Sequence, residues 1–320
     1  MTLVTGATGF IGSHLAEALL ARGERVRAFV RRSSSTRYLP AVELSYGDLV
    51  GGAGLPEALA GVRMVFHVAG VTKALRAQDY QTGNVRATET LARAVAGQGI
   101  RLVHVSSLAA MGPTPAAAPL TEEAPPRPLT RYGKSKLEAE RVVRALAPEA
   151  VIVRPPVVYG PRDSGVFQVL KPISRGWSLE IAGGERWFSA IYVKDLVEGL
   201  IAAAASSRAA GRTYFLAHPK PVSWSELTAA ASRIMRTHLR VLRIPVPLAK
   251  TVGFGAEVWA QISRRPGILS REKIAEAQCP AWTCDSRRAA AEFDFQARTS
   301  LDDGLAQTLA WYKEAGWLRY

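Results

Sequence analysis

Through the first half of the chain, apolar residues fall in short blocks separated by stretches with helical spacing. Leu3-Val4, Arg25 to Val30, Val42 to Tyr46, Met64 to Val68, Leu102 to Ser106, Val151 to Arg154 and Arg212 to Leu216 read as strands. Between them, Val85 to Ala96 and Lys134 to Leu146 are the clearest helical stretches. Alternating strand and helix predict an α/β fold, a doubly wound parallel sheet with helices on both faces. Beyond residue 162 the pattern changes. Arg162 to Arg186 mixes apolar and polar residues with poor strand periodicity. Ser223 and Glu226 make a capping box that opens a helix to about Met235. Ser300, Asp302 and Asp303 start a last helix with Leu305, Leu309 and Tyr312 on one side. Val241 to Ile262, interrupted by Pro245, Pro247 and Lys250, reads as packed core in preference to an apolar entrance. Residues 1–162 and 187–218 are therefore assigned to the doubly wound unit. Residues 163–186 and 219–320 form a smaller, mixed, mostly helical unit over the carboxyl ends of the strands, where open α/β sheets bind ligands.

A chain of 320 residues with 48% hydrophobic content can bury a sizeable core. Gly6 interrupts the first apolar run before a signal-peptide core could form, and no 18-residue uncharged apolar stretch follows, so a cytoplasmic protein without a transmembrane segment is expected. Cys279 and Cys284 are the only thiols; their spacing without neighbouring histidines matches no metal site. The net charge of +14 is spread over single residues and pairs (Arg31-Arg32, Arg264-Arg265, Arg287-Arg288). A solvated surface is the first reading, weak peripheral contact with anionic lipid the second. No nucleic-acid motif is present. Low-complexity sequence is confined to the Ala/Pro-rich loop Met111 to Pro128.

The first strand turns through Gly6, Gly9 and Gly12 directly into a helix carrying Ile11, Leu15, Ala18 and Leu19. Glycines there permit a tight turn, close approach of backbone to a pyrophosphate, and contact of helix with sheet, while the N–H groups of the helix start face the anion. Gly6, Thr8, Gly9, Phe10, Ile11 and Gly12 are the expected dinucleotide contacts. At the end of the second strand a carboxylate would suit the 2'-hydroxyl of NAD, but Arg31 and Arg32 stand there, followed by three serines. Guanidinium groups suit a 2'-phosphate, which predicts NADP(H) in preference to NAD(H).

Tyr132 and Lys136 lie four apart on a predicted helix and share a face. Acid/base work by a tyrosine at neutral pH asks for a pKa about three units below its usual ~10, roughly 4 kcal/mol. One cation about 4 Å away at an effective dielectric of ~20 supplies close to that. Ser107, at the carboxyl end of the fifth strand, could donate to a substrate carbonyl oxygen.

TGATGFIG at the start, Gly47-Asp48-Leu49, FHVAG at 66–70, Asn84-Val85, the Ser107/Tyr132/Lys136 set, RPPVVYGP at 154–161 and YVKDL at 192–196 follow one another in a distinctive order. On these motifs the chain resembles the extended short-chain dehydrogenase/reductase family, part of the NAD(P)-dependent epimerase/dehydratase superfamily, over nearly its whole length. The resemblance implies a Rossmann fold, Tyr132 as acid/base, and Lys136 lowering its pKa and holding the nicotinamide ribose. It further implies Ser107 positioning the carbonyl, and Asn84 maintaining a helix irregularity and a water in the proton path. A helix cap is an equal account of Asn84. Asp48 and Leu49 would flank the adenine, Val68, Ala69 and Gly70 would pass along the cofactor, and Pro155 to Val158 would border the carboxamide. Relatives acting on nucleotide-linked sugars place an arginine where this chain has Phe188, with Arg186 two residues early, and a tyrosine where it has Met111. These departures, with the Trp282-to-Asp285 and Trp311-to-Leu318 patterns, resemble the dihydroflavonol-reductase and 3β-hydroxysteroid-dehydrogenase-like branch. That branch implies reduction of a carbonyl, or oxidation of the alcohol, on a largely apolar substrate, and is compatible with a homodimer. The alternatives are a nucleotide-sugar epimerase or dehydratase using the same triad, and a non-catalytic NADP-sensing protein.

Overall fold

The computed structural model describes residues 1–114, 118–264, 267 and 270–320. Residues 115–117 of the Ala/Pro-rich loop and Arg265 of one basic pair lie outside the described residues. The first half runs β1 (Thr2–Thr5), α1 (Phe10–Ala21), β2 (Val26–Val30), β3 (Glu43–Tyr46), α2 (Leu55–Leu59), β4 (Met64–His67), α3 (Ala77–Tyr80), α4 (Ala87–Val95), β5 (Arg101–Val105), α5 (Arg131–Leu146) and β6 (Val151–Arg154). The second half continues with β7 (Val157–Tyr159), α6 (Ser164–Ile173), β8 (Trp177–Ile181), β9 (Trp187–Phe188), β10 (Ala190–Tyr192), α7 (Val193–Ala205) and β11 (Thr213–Phe215). It closes with β12 (Val222–Ser223), α8 (Trp224–Met235), β13 (Arg240–Ile244), α9 (Val246–Ser263), α10 (Arg271–Gln278), β14 (Ala281–Trp282), α11 (Arg287–Phe293) and α12 (Leu301–Glu314).

Seven strands form one parallel sheet in the order β11-β6-β5-β4-β1-β2-β3. Neighbouring residues on a strand serve opposite faces, so Val4, Val103 and Val153 join one buried cluster and Leu3, Leu102 and Ile152 another. Burial on both faces is why these strands read as continuous apolar runs rather than alternating ones. Strand order reverses between β1 and β4, which opens a crevice at their carboxyl ends. Ala289, Phe295 and Ala297, from the segment assigned to the smaller unit, pack into the first of these clusters. A third cluster joins Tyr159, Tyr192 and Val193 to Leu227 of α8 and to Leu305, Leu309 and Tyr312 of α12.

Two expectations need correction. The stretch from 162 to 186 contains regular elements, α6 and β8; Asp163 starts α6 by accepting from the Gly165 and Val166 N–H groups at 2.7 and 2.8 Å. The stretch from Val241 to Ile262 is not packed core. Helix α9 turns its small residues Ala249, Gly253 and Ala260 inward and leaves Leu248, Val252, Phe254, Trp259 and Ile262 exposed. Close packing against α10 is the reason, since a Cβ on Gly253 would come 3.0 Å from the Ile274 side chain. Among the described residues no helix is long and apolar enough to cross a membrane.

Candidate active site

The glycine turn sits at the β1/β4 crevice. Gly6 has φ +70°, and a Cβ there would lie 2.6 Å from the Ala69 backbone nitrogen; a Cβ on Gly12 would lie 2.2 Å from the Gly6 carbonyl oxygen. The first glycine therefore allows the turn to touch the exit of β4, and the third lets α1 close onto the turn. Gly9 caps α1 without any side-chain acceptor, and the first turn carries no acid, so the N–H groups around Phe10, Ile11 and Gly12 remain available to an anion. Thr8 is half-buried beside them. Val68 donates its N–H to the Thr5 carbonyl at 3.2 Å, which lays Val68, Ala69 and Gly70 along the turn. The Gly47 N–H bonds the Val30 carbonyl, and Asp48 accepts from Gly51 at 2.6 Å, so Asp48 and Leu49 flank the end of β2. Arg31 and Arg32 are exposed there, with the Arg32 guanidinium 5.3 Å from the centre of the Tyr46 ring. A cradle of unpaired helix-start donors with cations at one end fits a dinucleotide phosphate.

Tyr132 lies in the first turn of α5, whose start is set by Thr130 accepting from Gly133. Lys136 follows one turn later, buried, and donates to the Val105 carbonyl at 2.8 Å. Ser107 occupies the bend after β5; its Oγ accepts from the Ala109 N–H at 3.1 Å, and its side chain acts on the Tyr132 phenol in the direction of a lower pKa. The next residue, Leu108, donates to the Pro155 carbonyl at 2.8 Å, which ties the Ser107 bend to the segment leading to Val158 on β7. Glycine-turn exit, Asn84 and Lys136 converge at Gly70, where a Cβ would be 3.3 Å from Asn84 Oδ1 and 3.8 Å from Lys136 Nζ.

Asn84 belongs to a π-helical turn, Gln81–Arg86, inserted between α3 and α4. It caps no helix. Its Oδ1 accepts from Val71 at 2.6 Å, and its Nδ2 donates to the Val71 carbonyl at 3.0 Å and to Ser135 Oγ at 2.9 Å. Both amide hydrogens are committed, so the side chain pins the segment after β4 to the helix that carries Tyr132.

The electrostatics differ from the expectation of a phenol depressed by its lysine neighbour. Burial pushes the Tyr132 pKa up to about 12; the Ser107 side chain lowers it and Glu276 and Tyr80 raise it further. Burial also brings Lys136 down to about 8, opposed by Glu140. Residue spacing specifies a shared helix face but not how much water is removed, and desolvation is the largest cause of both shifts. Glu140, unnoticed in the sequence, stands one turn beyond Lys136. It accepts from Ser106 at 2.5 Å and from Arg154 at 2.9 and 2.6 Å, a buried pair that fixes the floor behind the lysine. Its signal was the Lys-x3-Glu spacing on the same helix.

A cavity of about 590 Å³ opens onto Tyr132. Tyr80, whose ring centre is 6.2 Å from that of Tyr132, lines it together with Leu75, Leu129, Phe254 and Val258. The charged residues of the wall are largely paired with one another, Arg131 with Glu272, Arg271 with Glu257 and Lys273 with Glu276. Phe254 and Val258 lie in the stretch for which core packing was preferred to an apolar entrance, and the α10 residues were missed because that helix is distant in sequence from the motifs. Arg186, the displaced arginine, donates to the backbone carbonyls of Ala277 at 2.8 Å, Ala182 at 3.2 Å and Gly184, and is absent from the wall described; Phe188 sits in β9 and Met111 is buried.

A family model described as the NAD dependent epimerase/dehydratase family matches residues 2–217. The chain is similar to a ceramide reductase of Caulobacter vibrioides, 30% identical over 317 residues, covering 98% of this chain and 95% of the relative. It is also similar to a 4-hydroxy-2-methyl-3-oxo-4-farnesyl-3,4-dihydroquinoline-1-oxide ketoreductase of Stigmatella aurantiaca, 29% identical over 319 residues, covering 95% and 94%. Among solved structures, the crystal structure of gox2253 superposes with a TM-score of 0.83 at 27% identity, covering 100% of this chain and 99% of that one.

Proposed function

We propose, from the premise that this chain belongs to the NAD dependent epimerase/dehydratase family and is an enzyme of the extended short-chain dehydrogenase/reductase type, that it is an NADP(H)-dependent carbonyl reductase. Its substrate is largely apolar, and the reverse reaction oxidises the alcohol. The observation that carries this reading is the placement of Tyr132 at the wall of an aromatic-lined cavity, with buried Lys136 one turn behind and the Ser107 side chain acting on the phenol to lower its pKa. When bound, the reduced nicotinamide supplies the hydride that the carbonyl carbon accepts. Gly6, Gly9 and Gly12 hold the pyrophosphate, Arg31 and Arg32 meet the 2'-phosphate, and Lys136 holds the ribose. Asp48, Leu49, Val68, Ala69, Gly70, Pro155 and Val158 border the remainder. Tyr132 gives its phenolic proton to the carbonyl oxygen; a pKa near 12 keeps that proton in place at neutral pH, the state reduction requires. Ser107 donates to the same oxygen as negative charge develops. Asn84 is a positioning residue that holds α5 against the exit of β4.

The nucleotide-sugar alternative is disfavoured because Arg186, the nearest counterpart of a diphosphate-binding arginine, already satisfies backbone carbonyls. The complete Ser107/Tyr132/Lys136 set disfavours a purely sensing protein. The test is coenzyme consumption with NADPH and with NADH against apolar ketones, steroids, β-keto acyl compounds and nucleotide sugars. Faster turnover with NADPH on an apolar ketone is expected, reduced about 10²-fold or more in Tyr132→Phe with NADPH binding retained. A clear NADH preference overturns the cofactor assignment, and turnover of nucleotide sugars alone overturns the substrate class.

A further inference from the structure

Helix α9 is built the wrong way round for a helix that packs a core. Its inward stripe is Ala249, Gly253 and Ala260, whereas Leu248, Val252, Trp259 and Ile262 lie along the outward side, with Trp259 68% and Ile262 69% exposed. These four recur at helical spacing on one face. The chain enters α9 through Pro245 from β13, whose Val241 and Leu242 are also exposed, and β13 pairs with β8, where Trp177 and Leu179 are exposed in turn. An apolar surface of this kind requires a cover.

Charge identifies the cover. From residue 236 to residue 264 the chain carries Arg236, Arg240, Arg243, Lys250 and Arg264, all exposed, against Glu257, which is paired with Arg271 at 2.7 Å; on the paired strand β8, Glu180 lies 3.9 Å from Arg243, which leaves the face cationic. Exposed tryptophan and branched aliphatic side chains flanked by cations match the boundary layer of an anionic bilayer, where apolar groups enter the acyl region and cations meet phosphate headgroups. The helix is too polar to cross a membrane. We propose that α9, with the β8/β13 ribbon, docks this protein on an anionic lipid bilayer, lying in the plane of the interface. Phe254 and Val258 of the same helix line the cavity at Tyr132, so the cavity lies beside the docked face. That consequence for an apolar substrate rests on the proposed reductase reading; the docking does not.

The test is sedimentation with vesicles of phosphatidylcholine alone and of phosphatidylcholine mixed with phosphatidylglycerol, together with quenching of tryptophan fluorescence by brominated lipid. Binding to the anionic vesicles, weakened by salt, is expected, with quenching that diminishes in Trp259→Phe. The double variants Trp259→Ser/Ile262→Ser and Arg243→Glu/Lys250→Glu should each lower partitioning by about tenfold or more. Both should keep the parent melting temperature and NADPH affinity, since none of the four residues lines the cavity or the cofactor cradle. Failure to bind anionic vesicles, or unchanged binding by the Trp259→Ser/Ile262→Ser variant, overturns the proposal. So does a dimer in light scattering that the same variant dissolves, because a second copy would then be the cover.

Discussion

Lys136 is the residue whose ionisation most exposes the working of the site. Its ammonium is desolvated to a pKa of about 8, so the cation is present below that pH and is lost above it. Coenzyme affinity of the free enzyme should accordingly be level from pH 6 to 7 and weaken through pH 8 to 9, measured by NADPH fluorescence titration. Lys136→Met should remove the break and weaken binding at pH 7. Persistence of the break in that variant would assign it to another group. The placement of Tyr132 and Lys136 one turn apart on one helix was legible from spacing alone, as were the positions of Ser107 and the glycine turn, because each depends on short-range geometry along one turn or one strand end. The direction of the Tyr132 shift was not legible, since it is set by burial, to which Glu276 and Tyr80 add, and both arise only on folding.

At the scale of elements, a π turn over residues 81–86 lies beside the candidate site. A wide turn loses regular helix bonding, and here Asn84 compensates by pairing both backbone groups of Val71 and the hydroxyl of Ser135. Asn84→Ala would remove those partners from the partly buried Val71 N–H and carbonyl, costing about 1 kcal/mol or more in a denaturant titration. It should also lower kcat more than it raises KM for coenzyme, because α5 would no longer be held against β4. Equal stability and unchanged kcat in that variant would show that the turn holds itself. Helix α8 shows the opposite situation, in which sequence suffices. Ser223 and Glu226 exchange the two bonds of a capping box at 3.1 and 2.9 Å, and the helix ends at Met235 as its pattern indicates.

For the whole molecule, the acid side of the stability curve is written in the middle of the sheet. His67 and His104 are adjacent on β4 and β5, with ring centres 5.2 Å apart and essentially no exposure. His67 bonds Thr5 and Thr88 at 2.7 and 2.9 Å, whereas neither ring nitrogen of His104 has a partner among the described residues. Burial, and then the Lys136 charge, hold both below the ordinary histidine value, His67 at about 3. The unfolded chain binds these protons near pH 6.5 and the folded chain does not, so stability is complete above that pH and falls as pH drops toward 3. His67 accounts for about 2 kcal/mol of the loss between pH 7 and 5, and His104 adds to it in the same direction. His104→Phe, which removes two buried nitrogens without partners among the described residues at similar shape, should shallow that loss in urea midpoints. An unchanged pH slope would mean that His104 is protonated in the folded state.

Local rules determined the fold class, the seven strands, the glycine turn and the positions of Ser107, Tyr132 and Lys136 on their strand end and helix, since strand burial, glycine turns and helix spacing are decided by neighbours along the chain. Tertiary structure alone decided the cavity walls from α9 and α10, the occupation of Arg186 by backbone carbonyls, the outward side chains of α9 and the sign of the Tyr132 shift. Each of these depends on which distant groups meet and how much water they exclude, and no periodicity in a single segment carries that information.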